Sequence, residues 1–199
     1  MEVSIAMKNT LLLLWLTSAL ALVGCSGDDN QTIDKKDEAV PTSSKSPINI
    51  SLINREGEKT GEAELVETDK GVVIRVMAEG LEPGTKAIHI HETGKCTPPD
   101  FKSAGAHFNP FGKQHGFHNP KGYHAGDLPN IEVPQSGKID VVLQTADVTL
   151  ETGKPNSLLD ADGSALVIHE KADDYKTDPA GNAGDRIVCG EIVKAGNES

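Results

Sequence analysis

Seven histidines are spread unevenly along a chain of 199 residues: six fall between His89 and His124, and the seventh is His169. His89 and His91 lie two apart in Ala87-Ile88-His89-Ile90-His91. On a strand, residues two apart point to the same face, so both imidazoles can address one metal ion. His107, His115, His124 and Asp127 follow at intervals of 8, 9 and 3. Three imidazoles and one carboxylate suit a tetrahedral zinc ion. The plainer alternative is a set of unrelated surface histidines in a solvated loop. It has to explain why six of them flank Gly-rich turns that have no other hydrophobic purpose.

Side chains so far apart in sequence need a scaffold to bring them together, and the scaffold reads as β. Ile48-Asn49-Ile50-Ser51-Leu52 alternates with period two. Ala63–Val66, Val72–Val76, Ala87–His91, Lys138–Leu143, Ala165–His169 and Arg186–Val193 read as further strands, with turns at Thr68–Gly71 and Leu81–Gly84. No segment holds a helical period over eleven residues. Short strands together with 20 Gly and 11 Pro predict an all-β antiparallel sandwich or barrel. Residues 92–136 and 170–185 read as long loops, and structureless loops of that length inside a domain are usually functional. Aromatics are only 4% of the chain and the single Trp, Trp15, precedes the domain, so the core must be built from Val, Ile, Leu and Ala.

Residues 11–23 (LLLLWLTSALALV) have the length of a signal-peptide core and are short for a membrane span. Leu22-Val23-Gly24-Cys25 looks like a bacterial lipobox. Residues 1–24 are therefore expected to be a lipoprotein signal peptide and Cys25 the lipidated residue; an ordinary secretory signal is the alternative. Glu2 is odd in a leader, and Met7-Lys8 would make a more conventional start. Residues 26–47 are polar, with two prolines and no hydrophobic period, and read as a disordered tether behind Cys25 with a coil dimension of about 25 Å. The folded domain is expected over residues 48–195, followed by a tail at 196–199. With Cys25 lipidated, Cys96 and Cys189 remain for one disulfide, which an oxidising compartment preserves. The formal net charge of −11 argues against a nucleic-acid partner, because phosphate contacts need clustered Lys and Arg.

Five ordered segments resemble the copper–zinc superoxide dismutase family. Ala87-Ile88-His89-Ile90-His91-Glu92 is similar to its copper-binding strand, and Gly105-Ala106-His107-Phe108-Asn109-Pro110 to the segment of its bridging histidine. His124-Ala125-Gly126-Asp127-Leu128-Pro129-Asn130 resembles its zinc loop. Val167 to Asp174 (VIHEKADD) resembles its fourth copper segment, and Gly181 to Gly190 (GNAGDRIVCG) its active-site arginine and disulfide segment. The resemblance covers residues 48–193. It implies a Greek-key β-sandwich or flattened barrel with long metal-binding and electrostatic loops. It implies one copper ion on His89, His91, His107 and His169, and one zinc ion on His107, His115, His124 and Asp127, with His107 shared as a bridge. Asp173 would link a copper histidine to a zinc histidine and fix their rings. Cys96 and Cys189 match the family disulfide. His118 matches no ligand position and reads as a solvated loop residue; Tyr123 has no assigned role.

The implied reaction is disproportionation of superoxide to O2 and H2O2, with His107 and Arg186 as the catalytic residues: His107 carries a proton and Arg186 attracts the anion. Arg186 cannot be titrated at ordinary pH. An excess of carboxylates repels superoxide, so capture needs local focusing by residues such as Arg186 and Lys171, and Asp185 would weaken that field if it pointed at the site. The expected location is extracytoplasmic, lipid-anchored to a bacterial membrane, and a homodimer is compatible with the family. Two other functions fit the same residues: a copper- or zinc-binding surface lipoprotein without turnover, and a structural lipoprotein held by zinc and the disulfide.

Overall fold

A computed structural model describes residues 46–194. The signal peptide, Cys25, nearly all of the tether and the tail lie outside the described residues. Among the described residues nine strands run in order: β1 (Ile48–Asn54), β2 (Lys59–Thr68), β3 (Gly71–Ala78), β4 (Gly84–Lys86), β5 (Ile88–His91), β6 (Ile131–Val133), β7 (Ile139–Thr145), β8 (Ser164–His169) and β9 (Arg186–Ile192). All pairings between these strands are antiparallel. Seven strands form one sheet in the order β5-β8-β9-β1-β2-β3-β7, and β4 and β6 form a separate ribbon. Only Ala87 separates β4 from β5, so the ribbon continues the β5 edge of the large sheet. The result is the curled all-β sheet that the alternation predicts.

Period-two burial decides what each strand contributes. In β3, Val72, Ile74, Val76 and Ala78 are buried, while Arg75 faces outward and makes a bidentate pair with Asp140 on β7. Ile50 and Leu52 of β1 and Ala63 and Leu65 of β2 join the same core. β5 and β8 differ, because every residue in both is buried. Their even-numbered residues Ile88, Ile90, Leu166 and Ile168 point into the main core. Their odd-numbered residues face the other way: Ala165 and Val167 pack with Cys96, Phe101, Ala104 and Cys189 in a second apolar cluster. His89, His91 and His169 share that outer face, under the long loops. A one-residue slip of register would exchange core for site.

The loop expected over 92–136 is not wholly irregular. It contains a three-residue 3-10 turn, Lys102–Ala104, and the strand β6, whose alternate residues Ile131 and Val133 are buried in the main core. Pro129 and Pro134 bound β6 so closely that its alternation is too short to stand out in the sequence. The strand expected over Ala63–Val66 extends to Lys59–Thr68, because pairing on both sides, to β1 and β3, supports residues whose own alternation is weak.

Cys96 and Cys189 form a disulfide with a Cα–Cα distance of 5.7 Å. It ties the first residues of the long loop to β9, inside the second apolar cluster.

Candidate metal centre

The edge of β5 is covered by two loop segments running beside it. Phe108 N–H donates to the Ile90 carbonyl and Ile90 N–H to the Gly126 carbonyl, while His91 bridges to His107 and His89 to Asp127. The strand edge is thereby closed, and the same bonds set a loop histidine beside one strand histidine and a loop carboxylate beside the other. Residue 126 has to be glycine for this approach: a Cβ there would collide with the Ile90 carbonyl oxygen.

The chain brings together two four-residue groups. His89, His91, His107 and His169 form one, and His107, His115, His124 and Asp127 the other; within each group the ligand atoms lie within 4.8 Å of one another, and all seven residues are buried. His107 belongs to both.

Hydrogen bonds assign the ring nitrogens. His91 Nδ1 lies 3.1 Å from the Gly105 carbonyl and His169 Nδ1 3.4 Å from that of Gly184. A carbonyl only accepts, so both Nδ1 atoms carry hydrogen and both Nε2 atoms are bare. Those Nε2 atoms face each other at 3.4 Å. His89 donates from Nε2 to Asp173 at 3.0 Å, which leaves its Nδ1 bare, and that atom is buried without a partner. His107 Nε2 is likewise buried without a partner. Four lone pairs thus converge on one dry space, an arrangement that repels itself unless a cation sits between them. Burial drives these rings towards neutrality: His107 is lowered to about 4 and His169 to about 3, and His91 also falls well below its ordinary value.

On the other side, Asp127 Oδ1 lies 2.9 Å from His107 Nδ1, 3.0 Å from His115 Nδ1 and 3.3 Å from His124 Nδ1. Ligand atoms about 2 Å from a tetrahedral zinc are about 3.3 Å apart, so the spacing is close to what the ion needs. Asp127 Oδ2 accepts from the Gly116 and His124 N–H groups. Burial alone would raise the Asp127 pKa, but the bonds from His107, His115, His124 and Gly116 hold it far below the usual carboxylate range. His115 shows the reverse. Burial would lower it, yet Asp127 and Asp173 raise it to about 9. Its Nε2 donates to Asp173 Oδ1 at 2.9 Å and its Nδ1 faces Asp127. In the metal-free chain a proton therefore occupies the place where zinc would bring positive charge. The donor types and unpaired nitrogens of both groups fit copper on the first and zinc on the second.

Asp173 joins the two halves, with Oδ2 on His89 and Oδ1 on His115. Both imidazole atoms it meets are N–H donors, which makes it an orienting carboxylate rather than a third metal site. It is held in turn by the Tyr175 N–H at 2.7 Å and by reciprocal bonds with Asn130. Gly181 packs onto the Asp173–His115 contact, where a Cβ would strike both side chains.

Arg186, the first residue of β9, lies opposite His169. Its Nη1 donates to the Phe101 carbonyl and its Nη2 to that of Gly105, each at 2.6 Å. Gly105 also accepts from His91, so one carbonyl links the guanidinium to a histidine of the copper group. Asp185 points to Arg55, 3.4 Å away. Lys171 does not line the cavity beside Arg186; Arg55 and Lys102 do. His118 is exposed, its ring edge-on to Tyr175 and outside both groups. Tyr123 donates its hydroxyl to Asp147 at 3.1 Å.

Sequence reasoning missed Asn130, Tyr175, Gly105 and Gly184. The last two act through carbonyl oxygens, which every residue type supplies. Asn130 carried the only signal, as the polar residue that ends the zinc-loop segment.

Residues 59–192 match the family model for copper/zinc superoxide dismutase (SODC). The chain belongs to this family. It is similar to the superoxide dismutase-like protein YojM of Bacillus subtilis (strain 168), with 46% identity over 93% of this chain and 96% of that one. It is 56% identical to superoxide dismutase [Cu-Zn] 1 of Aquifex aeolicus (strain VF5), over 71% of this chain and 84% of that one. Among solved structures, it resembles a double mutant of a SOD-like protein from Bacillus subtilis, in which a tyrosine and a proline are each replaced by histidine. The TM-score is 0.72, with 52% identity over 73% of this chain and 97% of that chain.

Proposed function

We propose that the protein is a superoxide dismutase, converting two superoxide anions and two protons to O2 and H2O2. Copper is held by His89, His91, His107 and His169, and zinc by His107, His115, His124 and Asp127. The observation that carries this reading is His107. Its Nδ1 is fixed towards Asp127 and its Nε2 is buried without a partner, facing the other three rings.

When bound, copper supplies a one-electron couple and zinc a fixed positive charge that does not cycle. The chain supplies the rest. His107 holds a proton at Nε2 and passes it to the reduced substrate, while Nδ1 stays anchored on the zinc side so that the ring does not wander. Asp173 keeps His89 and His115 in the tautomers that aim their free nitrogens inward. Arg186 holds its charge at the entrance, oriented by two carbonyls, although burial lowers its pKa somewhat.

We place the protein outside the cytoplasm, anchored by lipid on Cys25 behind the signal peptide. Support comes from the Cys96–Cys189 disulfide and from the sequence around Cys25. The test of function is metal analysis of the purified protein together with superoxide dismutation after loading with copper and zinc. Activity that tracks copper content is expected. Full loading of both metals without turnover would favour a metal-binding lipoprotein instead. Mass spectrometry of the membrane fraction tests the anchor: a diacylated N-terminal Cys25 is expected, and an unmodified N-terminus elsewhere would refute it.

A further inference from the structure

Antiparallel pairing of β1 with β9 sets Asn54 beside Val188, so the turn after β1 lies against the start of β9. Asn54 Oδ1 caps that turn by accepting from the N–H groups of Glu56 and Glu58. Arg55 is thereby thrown across the strand ends. Its Nε donates to the Pro99 carbonyl at 3.3 Å, and its guanidinium meets Asp185 at 3.4 Å. Arg55, Asp100, Lys102, Gly184, Asp185 and Arg186 line one solvent-open cavity of 370 Å³. Gly184 and Arg186 are the inner wall, since the first bonds His169 and the second shares the Gly105 carbonyl with His91. The cavity therefore abuts residues that hold two histidines of the copper group.

We propose that this cavity is the entrance to the copper group and that Arg55 is a substrate-guiding residue: it cancels Asp185 and so keeps the entrance positive on a chain that is otherwise strongly acidic. The lining carries three cations, Arg55, Lys102 and Arg186, against two carboxylates, Asp100 and Asp185, a balance of +1. Without Arg55 the balance is zero. The pair is solvent-exposed, so as a stabilising contact it counts for little. Its effect lies in the field that an approaching anion meets. This inference rests on the reading of the substrate as superoxide.

One unit charge acting over about 10 Å in water changes the local concentration of a monovalent anion roughly two-fold. At low ionic strength, Arg55→Gln should therefore lower kcat/KM about two-fold and Asp185→Asn should raise it about two-fold. The double variant should return to the native value, and Arg55→Lys, which keeps the charge but loses the fork, should stay near it. All differences should vanish at high salt. Azide, a small anion that ligates copper, gives a second readout through its visible-absorption titration, and its affinity should follow the same order with the same salt dependence. A rate unchanged or lowered in Asp185→Asn, or a double variant no better than Arg55→Gln, would overturn the proposal. Failure of the substrate reading looks different: azide affinities ordered by charge in a protein that does not dismutate superoxide.

Discussion

Replacing Asp173 with asparagine should separate the two metals. The carboxylate is fully buried and accepts three hydrogen bonds: from His115 and Tyr175 N–H on Oδ1, and from His89 on Oδ2. Asparagine has the same shape but one acceptor oxygen. The amide oxygen will take the Oδ1 position, because the opposite orientation sets an NH2 against two donors. His115 is then undisturbed, and the NH2 faces His89 Nε2. His89 can meet it only by moving its hydrogen to Nδ1, the atom that must be bare for copper. Restoring the ligating tautomer buries a donor against a donor, at about 1–3 kcal/mol. Loss of an orienting partner typically weakens metal binding about 10- to 100-fold, or about 1.4–2.7 kcal/mol, and the two routes agree. Copper affinity should fall in that range and zinc affinity by much less, each measured by competition with a chelator of known affinity. Equal loss of both metals, or unchanged copper affinity, would refute the assignment of His89 Nδ1 to the copper side.

Arg186→Ala should lower kcat/KM about ten-fold and flatten its dependence on ionic strength; an unchanged salt slope would remove Arg186 from the attraction of substrate. The metal-free protein should be most stable near pH 6.5, read by denaturant unfolding at a series of pH values. Towards pH 9 stability falls, because His115 loses in the folded state a proton that the unfolded chain has already lost. Below pH 6.5 it falls again, because unfolding lets His107 and His169 take protons that they refuse when buried, down to about pH 4 and 3; a profile that rises or falls throughout would contradict these environments. At pH 7.5 zinc binding should expel close to one proton from His115, measured by calorimetry in buffers of different ionisation enthalpy, and a count near zero would show that the proton is not where zinc binds. Cys96→Ser should cost about 4–5 kcal/mol of unfolding free energy, since the disulfide closes 93 residues, and a loss below about 1 kcal/mol would mean that the cluster around Phe101 holds the loop unaided.

The histidines and Asp127 were legible in the sequence because their chemistry resides in their type, and the alternation Ile88-His89-Ile90-His91 already separates core from site. What escaped was carried by backbone or by distant pairing. Gly105 and Gly184 orient His91 and His169 through carbonyl oxygens, which have no letter of their own. The β4–β6 ribbon was hidden by strands of three residues. Arg55 gave no signal at all: it reaches Asp185, 130 positions later, only because β1 and β9 are neighbours. Its case also resolves the difficulty that the overall charge poses for an anionic substrate. Charges beyond a Debye length of about 8 Å are largely screened at physiological salt. An anion near the entrance therefore responds to the few groups that line it, and those are set by the meeting of one turn, one strand start and one loop. Net charge read from composition gives the sign of the distant field and, at this site, the wrong sign of the near one.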